Sequence, residues 1–554
     1  MFFSRLQFDD CPHYFWIFGH VLLGVFSIWL ILRQKPLADW LFFTLIFAIT
    51  GTMRLPVFLF NYQIDVDEAQ VLAQGITLAV DPVIYQSVDP TTGGPLTSYF
   101  LAIFAHLFPL DFQFAHILGW LLTLAALFMV YKAAQRLQLG STVQLAMLPF
   151  IALISFSQTT DFVHFYSEAL SILVLSISVW FLTRWSYHKN FTNIELISFG
   201  LLMGLLPLCK IQAVPMAFAV GVFACIQIFL FQKSKFFRYS SLMIGSILVV
   251  WASWSLFLWA NDVFDDFVTF YIKANFQYKD NLASATRRSH LVNFFRLPYV
   301  IARGSSNFEW VFLPLCLLFL IFAYVSVYRK KISYFSKMDS YFWLMLVAYL
   351  AMTDIAVTRT GSFYPHYYHF LFLPFLLLMS LFLKHIPTWS RWLILSAQLG
   401  FLYLLLQNIA HDRTTNEYPF YGRNQDISDS KIVASILKYG KKGDYLAVWG
   451  WSCNYFVDTQ MPQGVNENHT TRSAISQPLQ PIYLERYLKD LKRTHPPIFV
   501  DAVSEKAIWI NDRSKYGHDC FPTLAKYIAD NYTLKEELEN VRIYVRNQKG
   551  NLIQ

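Results

Sequence analysis

Charge is scarce in this chain: Asp, Glu, Lys and Arg make up 14% of its 554 residues, against roughly 25% in an ordinary soluble protein. That deficit excludes an ordinary soluble enzyme. Its six cysteines show no metal-type Cys/His spacing, so the sequence carries no metal-binding signal. No Gly-rich phosphate-binding loop appears. Internal repeats, common in transporters, are also missing. The net charge of +8 is largely that of short basic loops and gives no reason to propose a nucleic-acid partner.

What the chain has instead is apolar length: 55% hydrophobic and 18% aromatic residues. Lipid offers no partner to backbone N–H and C=O groups, so a bilayer is crossed by about 20 mostly apolar residues in a helix. Such runs cover 15 to 33, 38 to 60, 113 to 131, 142 to 159, 168 to 185, 194 to 209, 211 to 231, 239 to 260, 309 to 328, 341 to 358, 366 to 384 and 391 to 410. The expected fold class is therefore a multi-pass α-helical membrane protein with about 12 transmembrane helices. The run 95 to 108 is too short to cross and reads as an interfacial helix. The first run follows Asp9 and Asp10 and lacks a small-residue cleavage site after Leu32, so it reads as a retained helix rather than a secretory signal.

Basic residues in short loops mark the cytoplasmic side. One set of alternate loops carries Arg33 and Lys35, Lys132 and Arg136, Arg184 and Lys189, Lys233, Lys235 and Arg238, the run at 329 to 331, and Lys384 with Arg391. The opposite set includes 61 to 94, which has no Lys or Arg but holds Asp65, Asp67, Glu68, Asp81 and Asp89. That set faces outward, although the long loop 261 to 308 contains Lys273, Arg287 and Arg288. With an even number of crossings, both chain ends lie outside.

After about residue 411 the composition becomes that of a soluble domain. "DYLAVWG" (444 to 450) and "PPIFVDAV" (496 to 503) read as buried strands, while 481 to 493 and 522 to 531 show helical spacing. The expected domains are thus 1–410 in the membrane and a small α/β domain, 411–554, outside it. Cys453 and Cys520 both fall in the latter, reachable from outside and free to pair in an oxidising compartment.

Four polar clusters map to the outward face. In "DVDEAQ" (65 to 70), Asp65 caps a helix over 66 to 79 and Glu68 reaches back as in a capping box, which leaves Asp67 unexplained. An Asp-x-Asp nucleotide-sugar motif is the other reading of 65 to 67, but that motif follows a strand in a soluble fold and this one follows a membrane span. "DFVHFYSEAL" (161 to 170) brings Asp161, His164 and Glu168 to a turn, where Ser167 and Glu168 also serve as helix caps. "LLPLCKIQAVP" (205 to 215) sets Lys210 and Gln212 in an apolar stretch, where snorkelling to the interface is the bland reading. "RTGSFYPHYYHF" (359 to 370) supplies Arg359, His366, Tyr367 and His369, with His366 and Tyr367 equally readable as interface anchors. An ionisable residue inside the membrane costs of order 3 kcal/mol, so each is a functional-site candidate.

These motifs resemble the GT-C class of membrane glycosyltransferases, particularly the protein mannosyltransferase and aminoarabinose transferase group. The "DEA" at 67 to 69 with Pro82 and Tyr85 after its helix, Glu168 in "SEAL", Lys210 after "GLLMGLLPLC", "HYYHFLFLPF" and the tail segment "LAVWGWSCNYFVDTQ" carry the likeness over nearly the whole chain. Two departures stand out: "TTGGPL" (91 to 96) where the group has Lys-Pro-Pro, and His116 where it has Arg.

The resemblance implies an integral protein of the bacterial inner membrane, with an extracytoplasmic site and a GT-C fold. It implies transfer of a sugar from a polyprenyl-phosphate donor to a lipid, glycan or protein acceptor, with inversion. Asp67 and Glu68 are then the catalytic candidates, and Asp161, Glu168, Lys210, His366 and Tyr367 the donor- and acceptor-binding ones. The partners are the lipid-linked sugar, membrane lipid and the acceptor. The resemblance makes no cofactor certain and leaves a divalent metal open. The rival class is a polytopic transporter or lipid flippase, in which intramembrane Lys and Glu form a relay.

Overall fold

The computed structural model describes residues 13–33, 35–281, 289–304, 306–328, 337–413, 430–505 and 507–547. The basic run at 329 to 331, Arg287, Arg288, Asp9 and Asp10 lie outside the described residues. Every apolar run identified in the sequence is a helix. Nine helices among the described residues reach the length and apolarity of a membrane span, from Tyr14–Leu32 to Thr388–Ala410.

Three of the twelve expected spans are shorter: Asp39–Met53, Gly140–Phe156 and Asn193–Cys209, as is Pro95–Ala105. Among the described residues there are thus nine helices of full span length and four shorter apolar ones, and the count of about twelve spans is not confirmed. The expected span 38 to 60 stops at Met53 because Pro56, at the start of the next turn Leu55–Phe58, cannot continue a helix. Asn193–Cys209 carries Pro207 inside its last turn and ends at Lys210, which is extended.

The chain divides into two compact units. The first comprises residues 1–60, 116–254 and 278–425 and consists of helices. Pro365–His385 is almost wholly buried there and packs against Gly140–Phe156, which is buried along most of its length. Gly119, on Phe112–Arg136, allows a close backbone approach: a Cβ there would meet the His164 carbonyl and Phe165 Cα at 3.0 Å. The turn carrying Asp161 to Glu168 is seated by that contact.

The second unit comprises 61–115, 255–277 and 426–554. Its sheet has strands β1 (Leu446–Trp449), β2 (Ile498–Asp501), β3 (Tyr532–Leu538) and β4 (Val541–Arg546), in the order β1-β2-β4-β3. β1 and β2 are parallel, and β4 is antiparallel to both β2 and β3. The first two strands and the helices Gln480–Thr494 and Pro522–Asn531 match the sequence expectation, whereas the β3–β4 hairpin does not appear in it. Trp449, Tyr487, Phe499, Leu524 and Ile528 form the core.

The second unit is larger than the segment after 411 that composition marks out. The Gln463 N–H donates to Thr77 Oγ1 at 2.9 Å, the Asp89 N–H to the Asn466 carbonyl at 2.8 Å, and Arg493 Nη1 lies 2.7 Å from Asp81 Oδ2. The acidic loop 61 to 94 is tied by these bonds to the sheet-bearing segment. Cys453 and Cys520 are both free thiols: Cys453 is buried, with its thiol donating to the Asn468 carbonyl at 3.2 Å, and only Cys520 is exposed. The expected access to both from outside is corrected accordingly.

Candidate functional site

In the second unit, the three carboxylates of 65 to 68 divide their work. Asp65 is the extended residue before the helix Val66–Val80, and its Oδ1 accepts the Asp67 N–H at 2.9 Å. Glu68 is fully buried and its Oε1 accepts the N–H groups of Ile64 at 2.7 Å and Asp65 at 3.4 Å, which completes the capping box. Asp67 points outward from the first turn, with its Oδ1 accepting from Gln70 Nε2 at 2.8 Å. Burial, and then the charge of Asp67, pushes the Cys453 thiol well above its usual range. Cys453 is thus part of the surroundings of Asp67, which the sequence did not reveal.

In the first unit, Asp161, Glu168, Lys210, His366 and Tyr367 come together. Glu168 and Lys210 flank long helices, Asp161 sits in the short turn Thr160–Phe162, and His366 and Tyr367 lie in the helix Pro365–Leu371. Lys210 is an extended residue (φ −165°, ψ 127°) between the helix Asn193–Cys209 and the short turn Ile211–Ala213. Its side chain is buried, with Nζ donating to Ser167 Oγ at 2.6 Å and paired with Glu168 Oε1. Lys210 therefore does not snorkel. Glu168 precedes Ala169–His188 but makes no side-chain cap, since its carboxylate is turned to Lys210 and to Ser167 Oγ at 3.2 Å. The Tyr367 ring lies 5.5 Å from Lys210 Nζ.

"PHYYHFL" forms a seven-residue 3₁₀ helix, Pro365–Leu371, in which residues three apart lie on one side. His366 and His369 accordingly both face Asp161. The His366 N–H donates to Asp161 Oδ1 at 3.1 Å, with His366 Nδ1 3.3 Å from the same oxygen. His369 Nε2 lies 2.9 Å from the Asp161 carbonyl. Burial acts to raise the Asp161 carboxyl, but the His366 hydrogen bond and the neighbouring histidine charges outweigh it and hold the group below its ordinary value. His366 Nε2 is also 4.0 Å from Glu168 Oε1, which joins the two carboxylates through one ring.

Two sets of residues escaped the sequence reading. Arg54 is buried and donates to the Phe162 carbonyl, beside Asp161; the signal was an arginine inside an apolar run, "TGTMRLPVF". Asp89, in the second unit, is completely buried with Oδ2 at 3.6 Å from Arg472 Nη1 and 3.5 Å from Arg486 Nη1. The Arg486 guanidinium stacks 3.9 Å over Phe270. Its partners lie nearly 400 positions away in sequence, where no local pattern reaches. His116, where the resembling group has Arg, is buried with Nδ1 at 3.0 Å from the Val57 carbonyl. Among the described residues, no three His, Cys, Asp or Glu side chains are grouped to hold a metal ion.

No family model matches this sequence, and no curated protein matches it significantly. Its structure is similar to ArnT from Cupriavidus metallidurans bound to undecaprenyl phosphate, with a TM-score of 0.55 and 14% identity over 92% of this chain and 99% of that one. The apo state of the same protein matches with a TM-score of 0.53 and 13% identity over 90% and 97% of the two chains. At such identity the likeness is one of fold. The chain is an integral membrane protein with the GT-C fold that its motifs resemble.

Proposed function

We propose that this protein is an inverting membrane glycosyltransferase that moves a sugar from a polyprenyl-phosphate carrier to an extracytoplasmic lipid, glycan or protein. The observation that carries the reading is end-to-end likeness of fold to a protein crystallised with undecaprenyl phosphate. The buried Lys210–Glu168 pair and its histidine-held neighbour Asp161 support it. A transporter would concentrate its ionisable residues near the bilayer midplane. Here Glu168 and Lys210 lie at the ends of helices, just before Ala169 and Ile211.

In the proposed reaction the acceptor hydroxyl attacks the anomeric carbon, the bond from that carbon to the phosphate oxygen breaks, and the phosphate leaves with the electron pair. A hydroxyl is a weak nucleophile at neutral pH, so a carboxylate must take its proton as it attacks. Asp67 is assigned that role because its two neighbouring carboxylates are engaged in the helix cap. Charge gathering on the phosphate calls for a preorganised cation. Lys210 is assigned to it, with Glu168, Ser167 and Tyr367 fixing the ammonium in place and His366 holding Asp161. The two assignments lie in different units and are tested separately.

Nucleotide sugars are made in the cytoplasm, whereas loop charge places these groups outside, so the sugar must arrive on lipid. Purified protein in lipid should transfer sugar from a polyprenyl-phosphate hexose or pentose and ignore the matching nucleotide sugar. Transfer from the nucleotide sugar alone, in a preparation free of carrier lipid, would overturn this reading and revive the Asp-x-Asp interpretation of residues 65 to 67.

A further inference from the structure

The helices Phe112–Arg136 and Ala169–His188 hold a cleft of about 520 Å³ near their C-terminal ends. It lies at the opposite end of Ala169–His188 from Glu168, about 30 Å away for a 20-residue helix. Part of its lining is apolar: Phe128, Met129 and Trp180. The rest of the lining is polar and basic: Lys132, Gln135, Arg136, Gln138 and Tyr187.

The charges in the cleft are not balanced. Lys132 Nζ is 2.5 Å from Asp39 Oδ2, and Asp39 also accepts from Tyr131 and Gln135, so that carboxylate is fully engaged. Arg136 has no carboxylate partner among the described residues. Its guanidinium meets His188 Nε2 at 3.3 Å and lies 5.8 Å from the Tyr187 ring, and Tyr187 is itself 54% exposed. Two cations thus face one saturated anion, beside an aromatic wall, at the end of a membrane-spanning pair. A bilayer presents phosphate joined to hydrocarbon at that depth, and a guanidinium matches phosphate with a planar fork of N–H donors. Basic pockets between membrane helices recognise acidic headgroups on these grounds. A volume of this size lies within the range that encloses a small polar group.

We propose that this cleft binds an anionic phospholipid, with its phosphate on Arg136 and Lys132 and the first carbons of an acyl chain against Phe128, Met129 and Trp180. The site is separate from the Asp161–Lys210 cluster and does not depend on the transfer reaction.

The test uses the full-length protein in nanodiscs of phosphatidylcholine containing phosphatidylglycerol, followed by native mass spectrometry of the lipids it retains. The unaltered protein should retain phosphatidylglycerol over phosphatidylcholine by about fivefold. Arg136→Gln should bring the ratio close to one, while Arg136→Lys should keep most of the preference. Gln138→Glu removes no native side-chain contact seen here and sets a carboxylate on the rim of the cleft; it should lower the ratio in a protein whose fold is undisturbed. Equal retention of the two lipids by the unaltered protein would overturn the proposal, as would a preference that survives both Arg136→Gln and Gln138→Glu. Displacement of phosphatidylglycerol by polyprenyl phosphate at equal mole fraction would reassign the cleft to the carrier and refute a phospholipid site.

Discussion

Replacing Lys210 by Gln should cost stability as well as activity, and separating the two tests what the residue does. The Lys210 side chain is 5% exposed and that of Glu168 is 1% exposed, so the substitution leaves a buried carboxylate without its cation, beside Ser167 and the more distant His366. Breaking one side of a buried pair costs about 3 to 5 kcal/mol, because the remaining charge has lost both water and partner. At an unfolding entropy of about 2 cal/mol/K per residue, this lowers the thermal midpoint of a chain this long by roughly 3 to 5 °C. Glu168→Gln added to Lys210→Gln removes the stranded charge, and the two amides can hydrogen-bond, so most of the midpoint should return. Transfer from the polyprenyl-phosphate sugar should not return, since neither amide neutralises a leaving phosphate. The measurements are the unfolding midpoint by intrinsic fluorescence in detergent and the initial rate of transfer. A single variant as stable as the parent would show that the pair is not buried as described. Recovery of transfer in the double variant would show that Lys210 acts only by neutralising Glu168.

Asp67→Asn should reduce turnover about 100-fold or more with an unchanged unfolding midpoint, because an amide cannot take the proton. Asp65→Asn should be mild, since Asn caps a helix nearly as well as Asp, and equal losses at the two positions would refute the division of roles. A membrane-impermeant thiol reagent added from outside should label Cys520, whereas Cys453 should react only after unfolding; labelling of Cys520 only after the membrane is opened would reverse the orientation read from loop charge. Burial pushes the Glu467 carboxyl up to about 8, against a smaller downward pull from the Ser473 hydrogen bond and from Arg472. A raised folded-state value contributes stability that is complete below the ordinary value of 4.5 and is lost as pH rises through about 8. Glu467→Gln should therefore flatten the stability profile of the protein between these limits and exceed the parent above them; parallel profiles would show that Glu467 is not buried in its neutral form.

The features legible in the sequence are those decided within a few residues or by the solvent. A bilayer demands apolar length, so all twelve runs proved helical, and Pro56 explains why one of them stopped early. The capping box was legible because its partners are three residues apart. Pairings across long separations were not. Lys210 and Glu168 stand 42 positions apart, and each had a bland local explanation, snorkelling or capping, that holds only if the other is elsewhere. Cys453 looked accessible because composition assigns it to a soluble segment, but composition cannot say which side of a strand–turn faces inward. Composition does not group Asp81 and Asp89 with the segment after 411, because their arginine partners lie some 400 residues downstream.

Local reading did retain one advantage at the acidic stretch. Three carboxylates within four positions exceed what a capping box uses, since it takes one side chain forward and one back. Asp65 fills the first place and Glu68 the second, with Glu68 withdrawn entirely from solvent. Asp67 is on the exposed side of the same turn, where neither the capping box nor the core accounts for a negative charge. Had the motif been Asp-x-x-Glu alone, its structural role would have exhausted it. The additional residue is what makes the stretch a question of chemistry, and it is for that reason the position at which a neutral isostere separates a helix cap from a base.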